Sequence, residues 1–459
     1  GQHCCIKRPS IKMRREIDRA WWGSLMRIFR KIGLAALAAG VPVAAHAQGS
    51  VAAADSGDTA WILISSALVL LMTMPGLTLF YGGLVRTKNF LSVMVQVGAI
   101  ASIVSVLWII GGYRLAFGEV TSGLLGSGGF WMLHGAEHLL RGDYAISERT
   151  FALFQMTFAA ITPALMVGAW VDRARFGWVV AFSALWSLVV YAPVAHWVWG
   201  GGWLASRLGT LDFAGGIVVH TTAGVSALVA VLLLGKRQGF PRTLMLPHSP
   251  SLTMAGAALL WVGWFGFNGG SALAASDDAA SAIINTHLGA STAALAWLLI
   301  ERIKVGKPTS VGFATGAIAG LATVTPAAGF ISPLGAIALG ALGAAACFPM
   351  ILLVKHKLEI DDSLDVFAVH GIGGITGSIL LAIFMMPALG GVGFAQGMNF
   401  STQLGAQIGG VLVVAAWSAL ATWLIARVTA AVFPMRVSED DEREGLDLAS
   451  HGERAWEMD

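Results

Sequence analysis

The stretch LDFAGGIVVH, residues 211–220, has a counterpart in DSLDVFAVH, residues 362–370. In each copy the first aspartate stands eight residues before the final histidine, His220 or His370. On an α-helix this spacing places the two side chains on nearly the same face, two turns apart. Both histidines lie in apolar runs, where an ionisable side chain indicates a functional site because a buried charge costs about 2.5–3.5 kcal/mol or more. Two matching runs predict duplicated halves that each contribute one imidazole to a shared site.

The composition excludes a soluble globular protein. Hydrophobic residues make up 56% of the 459 residues and charged residues only 12%, whereas a soluble domain carries about 25% charged residues. Apolar runs of about 18 residues or more, the length that a helix needs to cross a bilayer, recur along the chain. We therefore predict an all-α polytopic membrane protein, in which many of the 57 glycines allow helices to approach closely.

The start of the chain has the pattern of an export signal. Basic residues precede an apolar stretch over 32–43, and the small-residue sequence AHA at 45–47 is a candidate cleavage site. We therefore expect residues 1–47 to be an N-terminal extension with a signal peptide. Residues 48–431 are then the membrane domain and residues 432–459 a polar cytoplasmic tail.

Eleven apolar stretches are candidate membrane spans. They run over roughly 59–84, 89–113, 150–171, 177–199, 213–234, 252–272, 280–301, 309–328, 334–354, 363–386 and 402–431. With the mature N-terminus outside the cytoplasm, the basic residues between spans fall mostly in cytoplasmic loops, as the positive-inside rule requires. The histidine runs lie on the fifth and tenth spans. Because five is odd, we predict an inverted five-plus-five repeat with one extra C-terminal helix.

His220 and His370 can each be a structural residue that bonds a neighbouring helix, or they can act together. As a repeated pair they would meet near the midplane of the membrane. Neutral imidazole has one N–H and one bare nitrogen, so a pair can share a hydrogen bond and still offer polar faces to a pore. Such a pair suits a proton or a small polar molecule. We predict no metal and no cofactor, because no further His or Cys lies at ligand spacing on these spans.

Asp212 and Asp362 stand at the starts of their predicted helices. A carboxylate there accepts hydrogen bonds from free backbone N–H groups and interacts favourably with the helix dipole. We therefore expect both to be structural supports of the site. Asp365 has no assigned role.

Aromatic residues cluster near the predicted extracytoplasmic ends of the spans, among them Phe154, Phe158, Trp199 and Phe267. They can form the interfacial aromatic belt that is common in membrane proteins. They can also form a cage for a small cation, stabilised by about 0.5–2 kcal/mol per cation–π contact. Ser271 could add a hydroxyl acceptor to such a cage.

The sequence HGAEH at 134–138 matches the H-x-x-E-H pattern of inverted zinc peptidases. It lies in a short Gly-rich loop, without the helix or the third ligand that the pattern requires. No phosphate-binding Walker A motif is present either, since Gly235-Lys236 is followed by Arg237. We therefore predict that the protein is not an enzyme.

Further motifs occur in order over most of the chain. They are MPG (74–76), FYGG (80–83), FQ (154–155), AHWVWGG (195–201), LDFAGG (211–216), GWFGFN (263–268), DVF (365–367), EGLD (444–447) and SHGE (450–453). From about Asp58 onward the chain resembles the Amt/MEP/Rh ammonium transporters, and it is most similar to the bacterial Amt branch. The resemblance implies a channel-like ammonium/ammonia transporter of the bacterial inner membrane.

The resemblance also implies roles for individual residues. Phe158, Trp199 and Ser271 would bind ammonium, or its analogue methylammonium, at an outer site beside a stacked Phe154. Phe154, Phe158 and Phe267 would form a gate below that site, with Phe158 stacked on Phe267, where the ion gives up its proton.

Beyond the gate, the family pattern makes His220 and His370 the lining of a hydrophobic pore for ammonia, with Asp212 as a support that does not bind the ion. The family's members are homotrimers with one pore per subunit. Many bacterial members are closed by a PII-type signal protein at the cytoplasmic face, and none of these functions involves nucleic acid.

A second function remains open on the sequence alone. An ammonium sensor would use the same pore fold to signal through its cytoplasmic tail. Sensors of this kind usually carry an appended signalling domain, so the short tail after Val432 favours transport. A membrane zinc peptidase is the distant enzymatic alternative.

Overall fold

The computed structural model describes residues 53–456. The predicted signal peptide lies outside these residues. In chain order the main helices are α1 (Ser56–Leu84), α2 (Thr87–Phe117), α3 (Glu148–Trp170), α4 (Phe176–Val198), α5 (Gly216–Leu234), α6 (Pro250–Gly270), α7 (Asp277–Lys304), α8 (Ser310–Val324), α9 (Pro333–Lys357), α10 (Phe367–Phe384) and α11 (Phe400–Ala430). Within the described part, 10 helices, all but α8, are long and apolar enough to cross a membrane. The chain is an all-α polytopic membrane protein.

Helix α8 is shorter than the span that the sequence predicted over 309–328. It has 15 residues and ends at Val324. At about 1.5 Å per residue it is roughly 22 Å long, less than the roughly 30 Å of a hydrocarbon core. Pro326, which lacks a backbone N–H, stands just beyond the end and cannot continue the helical hydrogen bonds. Eleven full-length spans are therefore not confirmed.

The helices of the two halves pair with their counterparts. The first helices, α1 and α6, pack along each other, and the fifth helices, α5 and α10, cross near their starts. Residues early in α3 share a cavity with Asp212, just before α5. Ser363 and Leu364, just before α10, instead donate to carbonyls at the end of α3. Helices α5 and α10 therefore begin at opposite ends of the bundle, as an inverted repeat requires.

The two ends of the bundle differ. We call the end that holds Asp212 and Ser271 the vestibule end, and the opposite end the tail end. At the vestibule end the long α2–α3 connection contains an antiparallel hairpin of β1 (Glu119–Val120) and β2 (Gly126–Ser127). This connection also carries the HGAEH sequence.

The segment after α11 packs back onto the tail end. Arg436 forms an isolated antiparallel bridge with Ala174, between α3 and α4. A short helix, α12 (Glu439–Glu444), follows. The carboxylate of Asp447 then accepts backbone N–H groups at the start of the α-helical part of α2, which begins at Phe90, with the N–H of Ser92 at 2.7 Å. The tail is thus tied to the loops and helix ends that it covers.

Buried ion pairs join the loops at the tail end. Arg237 donates to Asp361 at 2.7 Å and to Asp172 at 3.3 Å. Arg173 donates to the carbonyl of Asp361 at 2.6 Å. Burial alone would raise the pKa of Asp361, but the hydrogen bonds and charges of Arg237 and Arg173 outweigh burial and hold that pKa below its ordinary value.

Candidate functional site

An open cavity, the vestibule, lies at the vestibule end. Phe158 from α3, Trp199 at the end of α4 and Ser271 at the end of α6 border it. These are the three residues that the sequence assigned to an outer site, so the structure brings them together. Gln155 and Asp212 also line the vestibule.

Phe158 and Phe267 form a stacked pair beneath the vestibule. Their ring centroids are 4.1 Å apart and their planes are 25° apart. Phe158 borders the vestibule, whereas Phe267 borders a second cavity deeper in the bundle. The pair therefore separates the two spaces.

The position of Phe154 differs from that implied by the resemblance. Its ring contacts Phe158 by its edge, at a centroid distance of 4.9 Å and an interplanar angle of 68°. It is not stacked, and it is fully buried. The ring of Phe154 lies close to α6 because residue 270 is a glycine: a Cβ at Gly270 would lie only 2.7 Å from the Phe154 ring. Phe154 thus packs against Phe158 and supports the position of its ring.

Two polar side chains near Phe158 already donate hydrogen bonds to the backbone. The indole of Trp199 donates to the carbonyl of Asp212 at 2.7 Å, and its ring meets Phe158 edge-on. The hydroxyl of Ser271 donates to the carbonyl of Phe267 at 2.8 Å, which leaves its lone pairs as acceptors. Aromatic rings beside a hydroxyl acceptor suit a small cation that carries N–H groups.

Asp212 closes the start of α5. Its two carboxylate oxygens accept the N–H groups of Gly215, Gly216, Ile217 and Val218 at 2.7–2.9 Å. Gly215 has φ 123°, a conformation that favours glycine. Burial raises the pKa of Asp212 above its ordinary value, and the four N–H bonds oppose that rise. The hydrogen-bonding capacity of the carboxylate is thus used to hold the backbone at the start of α5.

His220 and His370 meet beyond the phenylalanine pair. Their Nδ1 atoms are 3.2 Å apart, and the rings are nearly parallel, at 14° and a centroid distance of 5.3 Å. Both line the second cavity, together with the aliphatic and aromatic side chains Met72, Leu77, Phe80, Ile161, Leu165, Val219, Leu260, Trp264, Phe267 and Ile318. We call this narrow, apolar cavity the channel.

Each histidine lies on a π-helical turn, Gly216–Thr221 for His220 and Phe367–Gly371 for His370. Such turns are rare and occur often at functional sites. Because Asp212 precedes the helix and the intervening turn is π-helical, the eight-residue spacing does not place Asp and His on one face of a continuous α-helix. That expectation was wrong.

Asp362 occupies the equivalent place before α10. Its carboxylate accepts the N–H groups of Val366 at 3.1 Å and Phe367 at 2.7 Å. Burial, followed by the nearby charge of Asp365, raises the pKa of Asp362 to about 7. Asp365, which the sequence left unassigned, has φ 62° and forms a 2.8 Å ion pair with Lys355.

Sequence reasoning missed two residues of the site. Trp264 stacks on His220 at 5.5 Å and donates to the hydroxyl of Thr325 at 2.8 Å. Gln155 lines the vestibule, and its place next to Phe154 on an apolar helix was a signal that could have found it. Trp264, three residues before Phe267, could have been found by helical spacing.

The HGAEH sequence does not form the helical motif of a zinc peptidase. Glu137 pairs with Arg149 at 2.6 Å and accepts the N–H of Gly135, and the residues around it are turns. Within residues 53–456, no group of three or more His, Cys, Asp or Glu side chains is placed to hold a metal ion. The peptidase alternative therefore has no structural support.

The fold and the site define a polytopic membrane protein with an aromatic vestibule and a central apolar channel. A family model described as Ammonium Transporter Family matches residues 60–456. The chain belongs to the ammonium transporter family, whose members are transporters or channels rather than enzymes. The family resemblance of the motifs is thereby confirmed.

Individual relatives are similar over nearly their whole length. The ammonium transporter of Aquifex aeolicus is 45% identical over 414 residues, which is 90% of this chain and 96% of the relative. Ammonium transporter Amt1 of Archaeoglobus fulgidus is 45% identical over 405 residues, 88% of this chain and all of the relative.

Solved structures have the same fold. The structure of Candida albicans Mep2 is 37% identical, with a TM-score of 0.76, over 84% of this chain and 87% of that one. A structure named Sensor Amt Protein is 29% identical, with a TM-score of 0.80, over 86% of this chain and 98% of that one.

Proposed function

We propose that this chain is a channel-like transporter that captures ammonium in the vestibule, removes its proton at the phenylalanine pair and passes ammonia beside His220 and His370. One observation carries the proposal. The stacked rings of Phe158 and Phe267 separate an open, partly polar vestibule from a narrow apolar channel. That channel contains the imidazoles of His220 and His370, which can be uncharged.

Capture would take place against Phe158, Trp199 and Ser271. The two aromatic rings attract a cation through their quadrupoles, and the free lone pairs of Ser271 accept an N–H bond. Methylammonium, which keeps three N–H groups, would use the same contacts. Asp212 would act indirectly, because its carboxylate is engaged by four backbone N–H groups.

Deprotonation would follow from the apolar lining of the channel. The free energy of desolvation is large for a bare ion in this lining and small for neutral ammonia. Potassium has no proton to lose, so the same cost would exclude it. The proton is either released on the vestibule side or relayed through the imidazoles, and these two routes differ in whether net charge crosses.

We place the protein in the bacterial inner membrane with the vestibule end outside and the tail end in the cytoplasm. The positive-inside rule supports this orientation, because the basic residues between helices and at helix ends cluster at the tail end. They include Arg86, Lys88, Arg173, Arg175, Lys236, Arg237, Arg242, Arg302, Lys304, Lys307, Lys355 and Lys357. Residues 1–47 would direct export of the N-terminus.

We extend two family properties to this chain as proposals. It would assemble as a homotrimer with one pore in each subunit. A PII-type signal protein would dock on the cytoplasmic face, where the residues after α11 cover the loops of the tail end.

An ammonium sensor is the second candidate function. It is favoured by the likeness to the structure named Sensor Amt Protein, whose fold overlaps most of this chain. In a sensor, ammonium would occupy the vestibule and the tail would report that occupancy without sustained transport.

The test is the current evoked by an ammonium pulse on proteoliposomes of the purified full chain, with potassium as the control. A saturable current specific for ammonium would establish transport with net charge movement. Internal alkalinisation without current, above that of protein-free liposomes, would establish neutral ammonia conduction. The absence of both signals would overturn transport in favour of the sensor.

A further inference from the structure

Gln155 is a polar side chain that the family site described above does not use. It lies on α3 three residues before Phe158, so the two side chains are neighbours on one helix face. Because α3 begins at the vestibule end, Gln155 stands one turn nearer the mouth of the vestibule than Phe158. It borders the vestibule, yet only 8% of its surface is exposed.

The side-chain amide of Gln155 has no hydrogen-bond partner among residues 53–456. Its Oε1 atom is buried and unpaired. A buried, unpaired carbonyl is costly, so folded proteins rarely retain one without a reason. A half-turn about the last side-chain torsion exchanges the oxygen with the NH2 group at almost no change in shape. The amide is therefore free to present its oxygen to the vestibule.

The polar groups of Trp199, Asp212 and Ser271 are not free in this way. The indole N–H of Trp199 is bonded to Asp212, whose carboxylate is filled by backbone N–H groups. Ser271 has already donated its proton and offers only lone pairs. Ammonium brings four N–H donors and needs acceptors on more than one side. Beside Phe158, Ser271 provides them on one side only, although Tyr144 and Asp278 also border the vestibule.

We propose that the carboxamide oxygen of Gln155 accepts a hydrogen bond from ammonium in the vestibule and holds the ion over Phe158. This inference rests on the proposed function and adds a specificity-determining contact to its capture step. Methylammonium lacks one of the four N–H donors. Gln155 therefore contributes to the preference for ammonium over its methylated analogue.

The test uses Gln155→Met, which keeps the length of the side chain and removes the acceptor. Uptake by the full chain in proteoliposomes is measured for ammonium and for methylammonium. A lost hydrogen bond to a charged group raises the half-saturation concentration about tenfold or more. We expect that rise for ammonium, a smaller rise for methylammonium, and little change in the maximal rate.

The matched control is Gln96→Met, because Gln96 is also buried on a membrane helix but is bonded to Trp170 and Ser92 away from the vestibule. It should lower thermal stability and leave the half-saturation concentration unchanged. A purely structural role of Gln155 would give the same pattern. Unchanged half-saturation in Gln155→Met would therefore overturn the inference.

Gln155→Glu decides the case if Gln155→Met does not fold. It keeps an acceptor and adds a negative charge, so the half-saturation concentration for ammonium should fall and should rise again as the carboxylate is protonated at low pH. No change in either condition would overturn the role of Gln155. Wild-type protein without any saturable uptake would instead overturn the proposed function itself.

Discussion

The Nδ1 atoms of His220 and His370 lie 3.2 Å apart across the channel, on helices from opposite halves of the chain. At that distance one ring donates and the other accepts, so the bond fixes the two rings in opposite tautomers. The bond leaves Nε2 of His220 buried without a partner among the described residues. The pair is thus a single unit that offers polar atoms to a molecule in an apolar passage.

The first prediction concerns that unit. In the double variant His220→Ala and His370→Ala, selective ammonium uptake should fall to the level of protein-free vesicles, because the channel loses both imidazoles, whose polar atoms would replace hydration there. The oligomeric state should stay that of the wild type. Proteoliposome flux and size-exclusion light scattering measure the two quantities.

The control for the histidine pair is His287→Ala. His287 is exposed on α7 and contacts Trp261 rather than the channel, so its loss should leave flux unchanged. A double variant that still conducts ammonium and excludes potassium would refute the role of the pair.

The second prediction concerns the barrier between vestibule and channel. Phe267→Leu removes one ring of the stacked pair and connects the two spaces. We expect potassium leak to rise several-fold relative to wild type, since hydrated ions gain access to the channel. Phe265→Leu is the matched control on the same helix, because its ring packs against His287 instead. Equal potassium leak in the two variants would contradict a gate at Phe267.

The meeting of His220 and His370 could be predicted from the sequence, because the repeated context implied an inverted repeat with a shared site. The pairing of Phe158 with Phe267 was inferred from the family resemblance, and the stacking of the two rings agrees with that inference. The backbone of the site could not be foreseen. Hydrophobic period does not distinguish a π-helical turn from an α-helical one, and both histidines lie on such turns.

Two further differences between the sequence reading and the structure have physical causes. The hydrophobic run over 309–328 continues past the helix end at Val324, because Pro326 interrupts the helical hydrogen bonds while alanines follow it in the sequence. The free amide of Gln155 could not be recognised, since the sequence does not show which polar groups lack partners. Side-chain hydrogen bonding is decided by tertiary contacts.

The third prediction tests the close crossing that positions the histidines. A Cβ on Gly224 of α5 would lie 2.3 Å from the Cα of Gly371. Gly224→Ala must therefore push α5 and α10 apart, at a cost of about 1–3 kcal/mol or more, and should abolish transport. Gly405→Ala, with no atom within 4 Å of the added methyl group, should be neutral or slightly stabilising. Thermal unfolding and flux of both variants provide the comparison, and equal behaviour would exclude a tight crossing.

The fourth prediction concerns pH. The pKa of Asp362 rises from 3.8 to about 7 on folding, chiefly through burial and then through the charge of Asp365. Between these pH values the folded chain holds a proton on Asp362 that the unfolded chain has lost. The contribution of Asp362 to the free energy of unfolding is therefore fully present below the lower pKa and is lost as pH rises through the higher one. The other ionisable groups that face Asp362 are Lys355 and Tyr81.

Asp362→Asn cannot ionise, so its thermal stability should lose the wild-type decline between pH 4 and 7, a window set by the two pKa values of Asp362. Asp365→Asn removes the charge that raises this pKa and should move the decline to lower pH. A decline of unchanged size and position in Asp362→Asn would show that other groups cause it.

The fifth prediction concerns the tail. The carboxylate of Asp447 accepts two backbone N–H groups in the first turn of the α-helical part of α2, which begins at Phe90, so Asp447→Ala should cost about 1 kcal/mol, as for the loss of a helix cap. The freed tail should be cut faster by trypsin at Arg443, whose backbone carbonyl is held by Lys88 in the intact protein. Asp440→Ala is the control, since the side chain of Asp440 is 92% exposed and, among the described residues, bonds only Arg443. Because trypsin needs a flexible segment around the cut, equal cleavage rates in the two variants would mean that Asp447 does not hold the tail.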